Sequence, residues 1–211
     1  MAKPTMLLSR RTLMRSAAVL LAAGLLAAPA WATAQVGRPA PAFAGVDSQG
    51  RTQRLSDYRG RIVVLEWTNH DCPYVRKHYG SGNMQALQRQ AAADGVVWLS
   101  LISSAPGKQG HVSGRQAEQL SRSRGAAPRA VILDESGAIG RLYEAKTTPH
   151  MYVVDAQGTL AYMGGIDDRP TADVADIRGA RNHVAAALAE LKAGKPVSQA
   201  VTRPYGCSVK Y

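Results

Sequence analysis

Short apolar runs and amphipathic stretches alternate along the chain from Arg61 onward. Arg61–Trp67 (RIVVLEW), Val96–Ser104 (VVWLSLISS) and Arg129–Asp134 (RAVILD) are rich in β-branched and other apolar residues. Such runs predict strands buried on both faces of a sheet. Helices are expected between them. One opens near Pro73, since proline suits the first helical position. Gly80–Gly82 (GSG) interrupts it and Asn83–Gly95 resumes it. Another spans Ser113–Gly125 with Ser113 as its cap, and a short helical turn is expected over Gly137–Glu144. The pattern then changes: in Thr147–Gly165 two strand-like runs flank Asp155–Gly158 (DAQG), the spacing of a hairpin. Ile177, Ala180, Val184, Leu188 and Leu191 recur at three- and four-residue steps and predict a closing helix with these residues on one face. Upstream, Gly37–Gly60 reads as an extended arm and a small hairpin that turns at Asp47–Gly50 (DSQG). The element order predicts an α/β sandwich with parallel central strands, an antiparallel edge pair and an N-terminal hairpin extension.

The first thirty-odd residues follow another logic. Lys3, Arg10, Arg11 and Arg15 come without any acidic residue, and Ser16–Gly37 carries no charge. A basic start, an apolar centre and a small-residue end predict a secretory signal peptide over residues 1–34, cut after Ala32 or Ala34. An uncleaved anchor is the alternative, because the uncharged run is long enough to span a bilayer. Ser9–Arg15 (SRRTLMR) resembles a twin-arginine export signal, which implies a periplasmic destination and membrane contact during export only. The remainder divides into a domain over 35–194 and a Gly/Pro-punctuated tail over 195–211, in which no helix or strand is evident.

The chain of 211 residues carries a net charge of +11. Without the signal, 22 Lys and Arg face 15 Asp and Glu, a net +7. The excess is scattered, and no basic run is interleaved with aromatics, which argues against a nucleic-acid partner.

Candidate chemistry centres on Trp67–Tyr79 (WTNHDCPYVRKHY), which holds Cys72, one of two cysteines. A lone thiol here is compatible with a nucleophile, a metal ligand or inert packing. Its place at a helix start favours the thiolate through free N–H groups and the helix dipole. Arg76, one turn on, is expected to add positive potential. Cys207, 135 positions away, is the other thiol, and sequence leaves its pairing open. Asp167-Asp168 reads as a solvated loop or a helix cap, and Ser104–Gly110 as a loop beside the site.

Three stretches carry a family resemblance: Arg54–Trp67 (RLSDYRGRIVVLEW), Asp71–Tyr79 (DCPYVRKHY) and Lys146–Gly158 (KTTPHMYVVDAQG). From about Pro39 to Leu191 the chain resembles thioredoxin-like redoxins, in particular a peroxiredoxin-like branch of the alkyl hydroperoxide reductase/thiol-specific antioxidant superfamily. The resemblance implies a thioredoxin-like three-layer sandwich with a mixed sheet. It also implies a cis bond at Thr148-Pro149 facing the cysteine, and an antioxidant thiol oxidoreductase with Cys72 as nucleophile. Asn69, Arg76 and Thr148 would shape the thiolate's surroundings, and Cys207 is a possible resolving cysteine, within the chain or across a homodimer. The expected partner is an external thiol reductant or a disulfide-bearing protein, and no cofactor is expected. The chain departs from relatives in two ways. Val75 stands where thioredoxins have their second cysteine. Leu65 and Asn69 stand where peroxiredoxins have proline and threonine, with Thr68 displaced by one residue. An alternative is a non-enzymatic redoxin fold that binds a partner or copper or another metal through His70, Cys72, His78 and His150.

Overall fold

The computed structural model describes residues 1–2 and 33–211. The expected signal peptide lies almost wholly outside them. In chain order the folded unit contains β1 (Ala44–Asp47), β2 (Thr52–Arg54), β3 (Val63–Trp67), α1 (Pro73–Gly80), α2 (Asn83–Ala93), β4 (Val97–Ile102), α3 (Gly114–Ser123), β5 (Ala130–Leu133), α4 (Ala138–Leu142), β6 (Thr147–Thr148), β7 (His150–Val154), β8 (Leu160–Gly164), α5 (His183–Lys192) and β9 (Cys207–Ser208). Seven strands form one sheet in the order β2-β1-β5-β4-β3-β7-β8. β3, β4 and β5 run parallel, with Trp67 opposite Leu101. β7 and β8 are antiparallel, and the β1–β2 hairpin joins the sheet through β5. Helices cover both faces, so the expected thioredoxin-like sandwich with a mixed sheet and a hairpin extension is the fold found.

Strand alternation sorts the core. Val63, Leu65 and Trp67 face a layer containing Phe43, Ile139 and Tyr143. Val64 faces Val75, Met84, Val184 and Leu188 of α1, α2 and α5. Glu66 points to that same side and is fully buried in the middle of an apolar strand. It is tolerated because four donors converge on its carboxyl: Tyr79 Oη at 2.9 Å, Gln88 Nε2 at 3.2 Å, Trp98 Nε1 at 2.8 Å and Ser100 Oγ at 2.9 Å. These bonds tie the last turn of α1, through Tyr79, and α2, through Gln88, to the sheet.

The break at Gly80–Gly82 occurs as expected: α1 ends, Gly82 takes a φ of +78°, and α2 begins. Ser113 caps α3 in a capping box with Gln116. Two expectations need correction. The closing helix starts at His183, where Asn182 caps it by accepting from Ala185 N at 2.9 Å. Ile177 lies in a separate 3-10 turn, Val174–Gly179, and Ala180 is extended, so neither belongs to the apolar face of α5. The tail is also structured: Cys207–Ser208 forms β9, antiparallel to Thr147–Thr148 of β6. A two-residue strand has no periodicity of its own and depends wholly on its distant partner.

Candidate active site

Cys72 occupies the N-cap of α1, with an extended backbone, and Pro73 opens the helix. Arg76 N donates to Cys72 O at 2.9 Å, the first bond of the helix. Ahead of it, Cys72 N donates to Asn69 O at 3.1 Å, and Asp71 N donates to the Asn69 side chain at 2.9 Å. Asn69 thereby shapes the turn that presents the cysteine. Its amide also reaches Gln109 O at 3.4 Å, which places the Ser104–Gly110 loop beside the site as expected.

From the other side comes β6. The Thr148-Pro149 peptide bond is cis, as the resemblance implied. In the thiol form Cys72 Sγ donates to the Thr148 carbonyl at 3.0 Å. Cys207 is brought to the same point by β9: its Sγ lies 2.7 Å from Cys72 Sγ, and its N–H lies 3.4 Å from it. Both cysteines are unbonded thiols. Cys72 is 0% exposed and Cys207 is partly exposed, so the tail is the lid over the thiol at the helix start.

The two thiols are electrically unequal. Burial pushes the Cys72 thiol up. The hydrogen bond from the Cys207 thiol, the N–H groups of Val75 and Cys207, and the Thr148 side chain together outweigh burial and hold it below its ordinary value. The Thr148 carbonyl works against them, because it favours the protonated form. For Cys207, burial, its bond to Cys72 and the charge there push the thiol up to about 11. Of the pair, Cys72 ionises first and Cys207 keeps the proton.

The expected contributor Arg76 stands elsewhere. The Arg76 guanidinium is turned to the loop, on His70 O at 3.2 Å and Asp71 Oδ1 at 3.2 Å, and is largely exposed. It is a brace for the loop, and at the helix start the Val75 N–H is the group that helps lower the Cys72 thiol. Trp67 is packing, with Nε1 on Ser103 Oγ at 3.0 Å and its ring against Tyr143 and Tyr152.

The four side chains of the metal reading do not converge. Among the described residues no three His, Cys, Asp or Glu side chains are grouped to hold a metal ion. His78 has Asn83 Nδ2 on one ring nitrogen at 2.9 Å and Tyr205 Oη on the other at 3.2 Å. His150 is occupied on Nδ1 by Tyr152 Oη at 3.0 Å and Lys146 N at 3.3 Å. His70 lies 3.5 Å from Asp71 through Nε2.

Sequence reasoning missed Asp167. It is buried, with Oδ1 accepting from Tyr205 Oη of the tail and from Arg169 N at 3.0 Å. The solvated-loop expectation holds only for its neighbour Asp168, whose side chain is exposed. No local signal separates two adjacent aspartates; only the arrival of Tyr205 does.

A search of curated proteins finds no match. Among solved structures, an uncharacterized conserved protein from Geobacillus kaustophilus superposes with a TM-score of 0.70 at 25% identity, covering 84% of this chain and 92% of that one. A hypothetical protein from Sinorhizobium meliloti does so with a TM-score of 0.70 at 20% identity, covering 85% and 96%. A Chlorobium tepidum structure provisionally named thiol:disulfide interchange protein DsbE shares the fold with a TM-score of 0.50 at 24% identity, covering 62% and 85%. The sequence profile of the AhpC/TSA family matches residues 36–163, well over half of the chain, including β3, Cys72, β6, β7 and all but the last residue of β8. The chain therefore belongs to the AhpC/TSA family.

Proposed function

We propose that the protein is an exported thiol-dependent oxidoreductase in which Cys72 is the nucleophile and Cys207 of the same chain resolves it. The observation that carries this reading is the 2.7 Å separation of a sulfur at a helix start and a sulfur on the tail. A disulfide needs about 2.05 Å between sulfurs, so a small movement closes the pair. Family membership supports a thiol redox role. Export rests on the charge and apolar pattern of residues 1–34.

In the peroxide form of the reaction, the Cys72 thiolate attacks one peroxide oxygen. The O–O bond breaks, an alcohol or water leaves after taking a proton, and Cys72 becomes a sulfenic acid. The Cys207 thiol then displaces hydroxide from that sulfur, water leaves, and the Cys72–Cys207 disulfide forms. An external dithiol restores both thiols by exchange. In the second reading the oxidant is a partner's disulfide, and the two electrons pass to it from the same pair. The engagement of the Asn69 and Arg76 side chains with the loop favours this second reading, because neither is left to grip a peroxide. Stopped-flow mixing of the reduced protein with hydrogen peroxide tests the first reading. Rapid Cys72-dependent oxidation supports it. A slow reaction typical of a free thiol, alongside fast reduction of a protein disulfide, transfers the assignment to exchange. Failure of both ends the enzymatic reading.

A further inference from the structure

The arm that carries Cys207 does more than hang from β9. Residues 164–211 lie beyond the segment that matches the family, so nothing in that match accounts for how the second sulfur is placed. Two residues before Cys207, the Tyr205 ring inserts between the tail and α1. It packs edge-on against Tyr74 with centroids 5.9 Å apart, and Lys77 Nζ stands over it at 5.6 Å. Its hydroxyl donates to Asp167 Oδ1 and meets His78 Nε2 at 3.2 Å. Asp167 Oδ2 lies 3.9 Å from both Lys77 Nζ and His78 Nε2. Lys77 Nζ donates to Arg169 O at 2.8 Å. The Lys77 and Asp167 side chains are 0% and 1% exposed. Withdrawing an ammonium and a carboxylate from water is costly, and fixing a register is the best-attested reason to retain such a pair.

The register fixed here is that of the two sulfurs. Lys77 and His78 belong to α1, the helix that Cys72 caps, so the cluster ties the tail to the same rigid element that presents the first thiol. Only Gly206 separates the anchor from Cys207. Its φ of +142° and its packing leave no room for a side chain, because a Cβ there would run into the Thr148 carbonyl. On the far side, the β9–β6 pairing and Tyr211 Oη on Ala145 O at 2.8 Å hold the end of the arm.

We propose that Tyr205, seated on the buried Asp167–Lys77–His78 cluster, is a positioning residue that sets Cys207 against Cys72 and so governs how readily that disulfide forms. The inference rests on the redox reading of the pair above. Tight orientation of two reacting groups is worth large factors in effective concentration, and misplacement by about 1 Å loses about a hundredfold.

The test uses the full chain, equilibrated with mixtures of reduced and oxidised glutathione, quenched by alkylation and read by mass. Each protein disulfide formed consumes one oxidised glutathione and releases two reduced ones, so the square of the reduced glutathione concentration divided by the oxidised concentration, taken at half-oxidation, is the effective concentration of Cys207 at Cys72. Tyr205→Phe and Asp167→Asn are each expected to lower it at least about tenfold. Tyr205→Phe removes one oxygen while keeping the ring on Tyr74, so it decides the matter should Asp167→Asn fail to fold. Tyr211→Phe, which releases the arm's far end, is expected to have a smaller effect. A Tyr205→Phe value equal to the parent's overturns the inference and leaves the redox pair standing, as does an equal loss in Tyr211→Phe. A parent chain that forms no Cys72–Cys207 disulfide at any ratio overturns both.

Discussion

Cys72 sits where its sequence neighbours put it, whereas Cys207 is held by residues far from it along the chain. The first thiol follows from a strand, a turn shaped by Asn69, and a helix opened by Pro73. The second depends on β6, on Gly206 against Thr148, and on Tyr205 reaching Asp167. The body supplies the sulfur that ionises first of the two, and the tail supplies the proton donor that lowers it and the partner that would trap it. Neither region makes a redox pair alone, and they should fail differently when altered.

Removing the body's sulfur should have the largest effect. Cys72→Ser is expected to lower thiol-dependent turnover by about a thousandfold or more, since loss of a nucleophile removes the covalent route. A steady-state assay with peroxide or a protein disulfide and excess reductant reads this, and an unchanged rate would contradict the role given to Cys72. Removing the tail's sulfur should interrupt the cycle later. Cys207→Ala should still oxidise at Cys72 but accumulate a sulfenic acid that a dimedone-type reagent traps, seen by mass spectrometry. It should also raise the pH at which the Cys72 thiolate absorbs near 240 nm, because the hydrogen bond from Cys207 lowers the Cys72 thiol.

Two further changes separate the regions by stability. Glu66→Gln replaces one acceptor oxygen with a donor amide facing Gln88, Trp98, Ser100 and Tyr79. It should cost the whole domain about 2 kcal/mol, read as a lower denaturant midpoint. Gly206→Ala should cost about 1–3 kcal/mol locally, where the backbone and the Thr148 carbonyl exclude a Cβ. Hydrogen exchange should then quicken in 199–211 while the β3–β4 amides stay protected. Quickening across the sheet as well would show that tail and body do not separate in this way.

A smaller effect comes from pH. Burial, against the charge of Asp167, pushes His78 down to about 4, and burial pushes His150 to about 3. In the unfolded chain both would bind protons near 6.5. Between about 6.5 and 4 the unfolded state therefore holds more protons, and stability falls as the pH falls. The melting temperature of the reduced protein should drop across this window, and His78→Gln should flatten the slope. A profile unchanged by that substitution would remove His78 from the account.

The legible parts of the sequence were those governed by local rules. The β-branched runs predict β3, β4 and β5, the glycines at 80 and 82 predict the break after α1, and Ser113 predicts its own cap. Cys72 before Pro73 is legible because a helix start is a local event. The tail was not, because β9 has two residues and exists only against β6. Ile177 and Ala180 continue a helical spacing that Asn182 overrides by capping α5 five residues beyond Ile177. Arg76 stands at the right spacing from Cys72, yet spacing does not show that its guanidinium meets Asp71 and His70 O first. Asp167 and Lys77 look like surface charges until the tail covers them.

The most direct test is non-reducing peptide mapping of the full chain after a brief oxidant pulse, with isotopically mixed protein to tell links within a chain from links between chains. The account predicts one dominant disulfide, Cys72 to Cys207 within a single chain. Two cysteines left as free thiols or overoxidised, or a link formed only between chains, would contradict it.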